Sequence, residues 1–474
     1  MKDHPAPKKT LWEIVALAAI VSWGFWERWQ RIGNGPTSDE VSLLKWRGWG
    51  WELSDNLNRL HPPLYRMSFT AWLDPAEALD AARLVSVVAG TLTIVLVWLL
   101  ARRVTHSRLL GLGAALGIAA LSYHILFSAM FRPYALLLML MSAHLVSLTQ
   151  WLRPERPRWA PWAVALTATV MPQVHYLGLP WLGLTALCTA LLIHRSWRVL
   201  PLYLGAPLAI LPVIGKISGN IVQSSPGPAD WQRLGEFLFG MGVRAGPSHV
   251  ILTNLWPLGL LALVLAVLRW RRLNTSGRLT VAATVSMLMT LAWVVGHHRL
   301  TTSTTLLIAP MIWVLVAALP QAIPGSGRIS TGLRWIVTGV LIWHIGSMAT
   351  DRLEYLRNNP TPSERTAQFI EEAHDRFPED HAIRFASSAH FTVARYLLAG
   401  RVLPILHPDE RCPHNRCEDI NGRLWMVDTN EGWDGPSVLV LGWSKGPYSL
   451  PNGCTQAPDP DAVPAFALCA SSSP

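Results

Sequence analysis

Apolar residues in this chain come in long blocks separated by short polar connections. Blocks fall near 11–26, 81–101, 109–127, 134–152, 160–176, 178–194, 199–217, 249–268, 279–296, 302–320 and 333–350. A helix needs about 20 residues to cross roughly 30 Å of hydrocarbon, so the pattern predicts about eleven membrane spans, the pair around His175 being short. Bare backbone is costly in lipid and the period-two alternation of a barrel is absent, so the spans are expected to be helices. The first block follows Lys2, Lys8 and Lys9 as in a secretory signal. No small-residue cleavage site follows it, and it reads as a membrane anchor.

Composition supports this division. Of 474 residues, 51% are apolar, only 15% are charged and 24 are Trp, which excludes an ordinary soluble domain for most of the chain. Basic residues cluster in alternate connections: Arg102, Arg103 and Arg108; Arg153, Arg156 and Arg158; Arg195 and Arg198; Arg269, Arg271, Arg272 and Arg278; Arg328 and Arg334. The positive-inside rule makes these loops and the N-terminus cytoplasmic. The 27–80 loop and everything after about 350 then face the opposite side, periplasmic or extracellular, as in an integral protein of a bacterial inner (plasma) membrane. The tail from Asp351 holds 11 basic and 17 acidic residues, the part before it 29 and 13, so the net +10 is +16 in the membrane part and −6 in the tail. Such a balance points to topology and anionic lipid as partner, and against nucleic acid.

The expected organisation is therefore mainly α: a polytopic helical domain over 1–350, with 27–80 as an outer loop, and a small extracytoplasmic α/β domain over 351–474. Thr361-Pro362-Ser363-Glu364 has the form of a capping box with proline at the first helical position, predicting a helix to about Arg376. Strand-like runs follow at Ile383–Ser387, Leu424–Val427 and Ser437–Gly442, with a second helix near Phe391–Leu398. Cys412, Cys417, Cys454 and Cys469 all lie in this tail, where an oxidising compartment favours two disulfides with three pairings open. Zinc is the rival reading, since His407, Cys412, His414 and Cys417 are crowded enough to bind it. Cys188, inside a span, reads as a packing residue.

Candidate chemistry collects on the outer side. Asp39 and Glu40 open a segment in which Trp46, Trp49, Leu53, Leu57 and Leu60 recur at helical spacing, suited to a helix lying among headgroups. Thr37 and Glu40 also match a capping box, the structural reading of that pair. His61-Pro62-Pro63-Leu64-Tyr65 has a rigid extended backbone that holds His61 and Tyr65 near the membrane surface. Arg132-Pro133-Tyr134 stands where the chain emerges and turns back, placing a guanidinium at headgroup level, where it either binds phosphate or snorkels to lipid. His175 interrupts an apolar run at the same level, and His297-His298-Arg299 ends a later span on that side. Adjacent histidines do not share a helix face, so Arg299 is the more promising phosphate group. These features are scattered over roughly 260 residues yet are all predicted on one face.

An N-terminal span, an outer loop with Asp39-Glu40, the His61-Pro62-Pro63-Leu64-Tyr65 segment, a later Arg132-Pro133-Tyr134-Ala135-Leu136-Leu137 and a many-span core together resemble the GT-C glycosyltransferases of the protein mannosyltransferase and aminoarabinose transferase superfamily. The resemblance covers about residues 1–350. It implies a GT-C fold, a polyprenyl-phosphate-linked sugar as donor and transfer with inversion to a lipid, glycan or protein hydroxyl. It also implies Asp39 as general base with Glu40 beside it, and Arg132 and Arg299 on the carrier phosphate. His61, Tyr65, Tyr134, His175 and His298 are expected around sugar and carrier. A carrier monophosphate is less charged than a diphosphate, so no metal is expected to be obligatory, and a divalent ion is left open.

The alternative is a polytopic transporter or flippase of lipid-linked sugars. Ion-coupled transport usually places carboxylates at membrane depth, whereas Glu155, Asp230 and Glu236, the acids between residues 81 and 350, all fall in predicted loops. No Gly-Lys-Ser/Thr phosphate loop supports an ATP-driven pump. A noncatalytic scaffold whose tail binds a partner is the third class.

Overall fold

A computed structural model describes residues 11–32, 40, 75–193, 197–210, 259–297, 306–322, 331–332 and 334–339, and within the tail 369–370, 372–373, 376–377, 381–385, 416–418, 424–427, 436–442, 454–456 and 465–469. The chain divides into two units, Met1–Ile32, Leu53–Phe69 and Ala81–Glu354 in one, Gly33–Glu52, Thr70–Asp80 and Tyr355–Pro474 in the other.

The first unit is helical where described. Its helices are α1 (Leu11–Trp29), α2 (Pro75–Thr105), α3 (Arg108–Ala120), α4 (Ser122–Ser128), α5 (Pro133–Trp151), α6 (Ala160–Val174), α7 (Gly178–Cys188), α8 (Gly205–Ile210), α9 (Gly259–Leu268), α10 (Thr275–His297) and α11 (Ala309–Ala318). Among the described residues two helices are both long and apolar enough to cross a membrane, over Leu79–Thr105 and Pro133–Trp151. Others are shorter because the apolar blocks are broken. The block at 109–127, read from sequence as one span, is interrupted at Leu121, whose extended backbone (φ −68°, ψ 109°) separates α3 from α4. The block at 178–194 leaves α7 through a π turn over Thr189–Ile193.

Caps explain several boundaries. Ser107 is extended and its hydroxyl accepts from the Leu110 N–H at 3.3 Å, starting α3. Asn274 does the same for α10, accepting from Gly277 N–H at 2.7 Å. The Asn274 amide also donates to the Arg103 and Val104 carbonyls, each at 3.1 Å, so it joins the start of α10 to the end of α2. This end of the helices is basic. Glu13 of α1, fully buried, lies 3.1 Å from Arg102 Nε and 3.6 Å from Arg108 Nε, while Arg103 donates to the Val146 carbonyl and to Thr149 Oγ1 at 3.0 and 2.9 Å. Further along the helices a neutral polar triad is buried: His144 bonds Thr167 Oγ1 and Tyr203 Oη, both at 2.9 Å, tying α5, α6 and the 3-10 turn at Trp197–Tyr203 together. All three sit in an apolar core, where unmet polar groups are costly.

In the second unit a six-stranded sheet has the order β2-β3-β1-β4-β6-β5, for β1 (Ala382–Phe385), β2 (Arg416–Glu418), β3 (Leu424–Val427), β4 (Ser437–Gly442), β5 (Cys454–Gln456) and β6 (Ala465–Cys469). β1 pairs in parallel with β3 and β4; β3 and β4 have the predicted bounds, and β1 overlaps the run expected over Ile383–Ser387. The antiparallel strands β2 and β5, three residues each, are too short a pattern to be read from sequence, and β6 (AFALC) was overlooked although it is apolar throughout. Cys454 and Cys469 face each other across β5 and β6 and are disulfide-bonded. Cys417 lies in β2; Cys412, the zinc candidates His407 and His414 and the predicted helix at 391–398 are outside the described residues.

Candidate active site

Arg132 is positioned by the proline after it. A residue before proline is pushed out of the helical region, and Arg132 accordingly adopts φ −139°, ψ 144° as the N-cap of α5, with Pro133 in the first turn. Its N–H donates to the Met130 carbonyl at 2.8 Å, closing a tight turn after α4. The guanidinium is half-buried, and loss of water around it lowers its pKa from the ordinary value, with Tyr134 acting in the other direction. It keeps its charge at neutral pH, since an arginine starts so far above it. A weakly hydrated cation of this kind gains more from a phosphate partner than a fully solvated one.

Tyr134, nearly buried, stands between two partners. Its ring centroid is 5.4 Å from Phe127 of α4 in an edge-to-face contact and 5.4 Å from His175 at the end of α6. His175 leaves the helix with an extended backbone, and its Nδ1 accepts from the Leu177 N–H at 3.1 Å, so the turn between α6 and α7 fixes the ring. Three residues singled out from sequence, Arg132, Tyr134 and His175, are thus brought to one place at the ends of α5 and α6. Glu40 is helical and fully buried. Asp39, His61, Tyr65, His298 and Arg299 lie outside the described residues.

Sequence reading overlooked a second polar group. Arg28, near the end of α1, is completely buried; Nη1 donates to the Gly24 carbonyl and Nη2 to His124 Nδ1 on α4. Ser128 Oγ donates to the His124 carbonyl. The available signal was a charged pair, Glu27-Arg28, directly at the end of the first apolar block, where a charge next to hydrocarbon is rare unless it serves a purpose.

Residues 61–217 match the family model described as dolichyl-phosphate-mannose-protein mannosyltransferase, a stretch holding His61, Tyr65, Arg132, Tyr134 and His175. Among solved structures, ArnT from Cupriavidus metallidurans bound to undecaprenyl phosphate superposes with a TM-score of 0.52 at 13% identity, covering 98% of this chain and 100% of that one. The chain has the GT-C fold. The apo form of the same ArnT gives a TM-score of 0.47 at 13% identity over 90% of this chain and 92% of that one. The S. cerevisiae protein O-mannosyltransferase Pmt1-Pmt2 complex bound to the sugar donor gives 0.35 at 15% identity over 46% of this chain and 34% of that one. None of the curated proteins matches the sequence. At 13% identity the likeness to ArnT concerns the GT-C fold alone, and the placement of residues rests on this chain's own geometry.

Proposed function

We propose that this GT-C protein is a membrane glycosyltransferase that moves a sugar from a polyprenyl-phosphate carrier to a hydroxyl on the non-cytoplasmic side, inverting the anomeric carbon. The observation that carries the reading is the grouping of Arg132, Tyr134 and His175 at the ends of α5 and α6, within the stretch that matches the mannosyltransferase model. Positive-inside reading assigns that end to the outer side. In the reaction, the acceptor oxygen attacks the anomeric carbon while Asp39 takes its proton. The bond from that carbon to the phosphate oxygen breaks, and its electron pair leaves on the carrier phosphate. Arg132 and Arg299 meet the charge that develops there, as fixed guanidinium donors suit phosphate. Tyr134 and His175 hold the Arg132 turn and, with His61, Tyr65 and His298, border the sugar and carrier. Glu40 has no exposed surface, which suits an orienting partner better than a group that must meet an acceptor.

A panel of polyprenyl-phosphate sugars incubated with purified protein in nanodiscs tests the reading. Wild type is expected to release the free carrier phosphate and give a product of inverted anomeric configuration. Arg132→Ala is expected to lose about two orders of magnitude in kcat/KM, and Arg132→Lys to recover only part, because lysine lacks the planar fork. Retention of configuration, or full activity in Arg132→Ala, would overturn it.

A further inference from the structure

We propose that Arg28 is a positioning residue for the Arg132 turn, acting through His124. This inference rests on the phosphate role just given to Arg132.

Arg28 is an expensive residue to keep. It is wholly buried, its Nε has no hydrogen-bond partner, and the carboxylate of Glu27 beside it in the chain offsets only part of the cost of burying its charge. The helices are shaped around it. A methyl group on Gly24 would meet Ile94 of α2 and would stand 3.3 Å from Arg28 Nη1; one on Gly90 of α2 would meet Ser128 of α4 and stand 3.1 Å from Arg28 Nε. Both glycines therefore leave room for the guanidinium between α1, α2 and α4.

The hydrogen bond to His124 is directional. Arginine only donates, so His124 Nδ1 must accept, the imidazole is neutral and its proton is on Nε2. That pairing fixes the rotation of α4. The opposite consequence appears on the same short helix, where Phe127 lies edge-on to Tyr134. The turn between Ser128 and Pro133 is short and its Phe131 is fully buried, so the seat of α4 determines where Arg132 stands. Arg28 thus touches neither sugar nor phosphate, and it sets the position of a residue that does.

The test measures equilibrium binding of a polyprenyl phosphate without sugar to detergent-purified full-length protein. Wild type, Arg28→Met, Arg132→Ala and the double variant form a cycle, with melting temperature recorded for each. Arg28→Met is expected to weaken binding about tenfold, and to add nothing once Arg132 is alanine, since it acts through that residue. His124 supplies a second pair that keeps the idea testable if Arg28→Met does not fold. His124→Leu removes the acceptor and is expected to behave as Arg28→Met does. His124→Asn offers a carbonyl oxygen near the Nδ1 position and is expected to stay within about twofold of wild type. Losses that add in the double variant, or equal behaviour of the two His124 variants, would overturn the inference. Normal binding by Arg28→Met alongside weakened binding by Arg132→Ala would refute it and leave the proposed function standing. Normal binding by Arg132→Ala would remove the phosphate assignment itself, and this inference with it.

Discussion

Single residues in the first unit separate into those that hold the helices and those suited to chemistry. Glu13 belongs to the first kind: it is fully buried against Arg102 and Arg108 at the basic end of α1, some fifteen residues, or about 22 Å of helix, from Arg28. Glu13→Gln leaves those arginines without their carboxylate. A loss of about 1–3 kcal/mol in stability is expected, with turnover per folded molecule unchanged, and thermal unfolding alongside an activity assay checks both. A fall in turnover with unchanged melting would move Glu13 into the functional machinery. At this scale the sequence was legible where chain geometry is local. Arg132 could be placed because the following proline dictates both its backbone and the helix start. Arg28 and His124 could not be paired, because 96 residues separate them and nothing in either segment points to the other.

Helices and strands show which patterns are strong enough to read. The apolar blocks at 81–101 and 134–152 appear as long helices because length and hydropathy agree over their whole extent. The break at Leu121 has no glycine or proline to mark it, so α3 and α4 looked like one span. In the tail, the parallel strands β1, β3 and β4 were visible as apolar runs, whereas three-residue strands such as β2 and β5 leave no periodicity to detect. Close helix contacts are likewise hidden in sequence. Gly117 of α3 lies against the Trp313 ring of α11, and an added methyl group would fall inside contact distance of several of its ring carbons. Gly117→Ala is therefore expected to cost about 1–3 kcal/mol by overpacking, seen as a lower melting temperature. An unchanged melting temperature would mean that α3 and α11 do not meet so closely.

For the whole molecule, orientation is the property on which function depends. Arginine-bearing connections such as Arg153–Arg158 are expected on the cytoplasmic side and the disulfide-bonded tail on the other, where Cys454 and Cys469 can stay oxidised. Single cysteines placed at Arg156 and at Ser471, in a background without Cys188, Cys412 and Cys417, distinguish the two sides with a membrane-impermeant maleimide on intact cells stripped of any outer membrane. Labelling at Ser471 and none at Arg156 before lysis is expected. The reverse pattern would put Arg132 on the cytoplasmic face, where the proposed acceptor is not found.

Function as proposed requires sugar transfer from a polyprenyl-phosphate carrier with Asp39 as base. Single-turnover transfer by the Asp39→Asn protein, compared with wild type at matched folded concentration, tests that most directly. A rate lower by about a hundredfold or more is predicted, with carrier binding preserved. Undiminished transfer by Asp39→Asn would show that Asp39 is not the base.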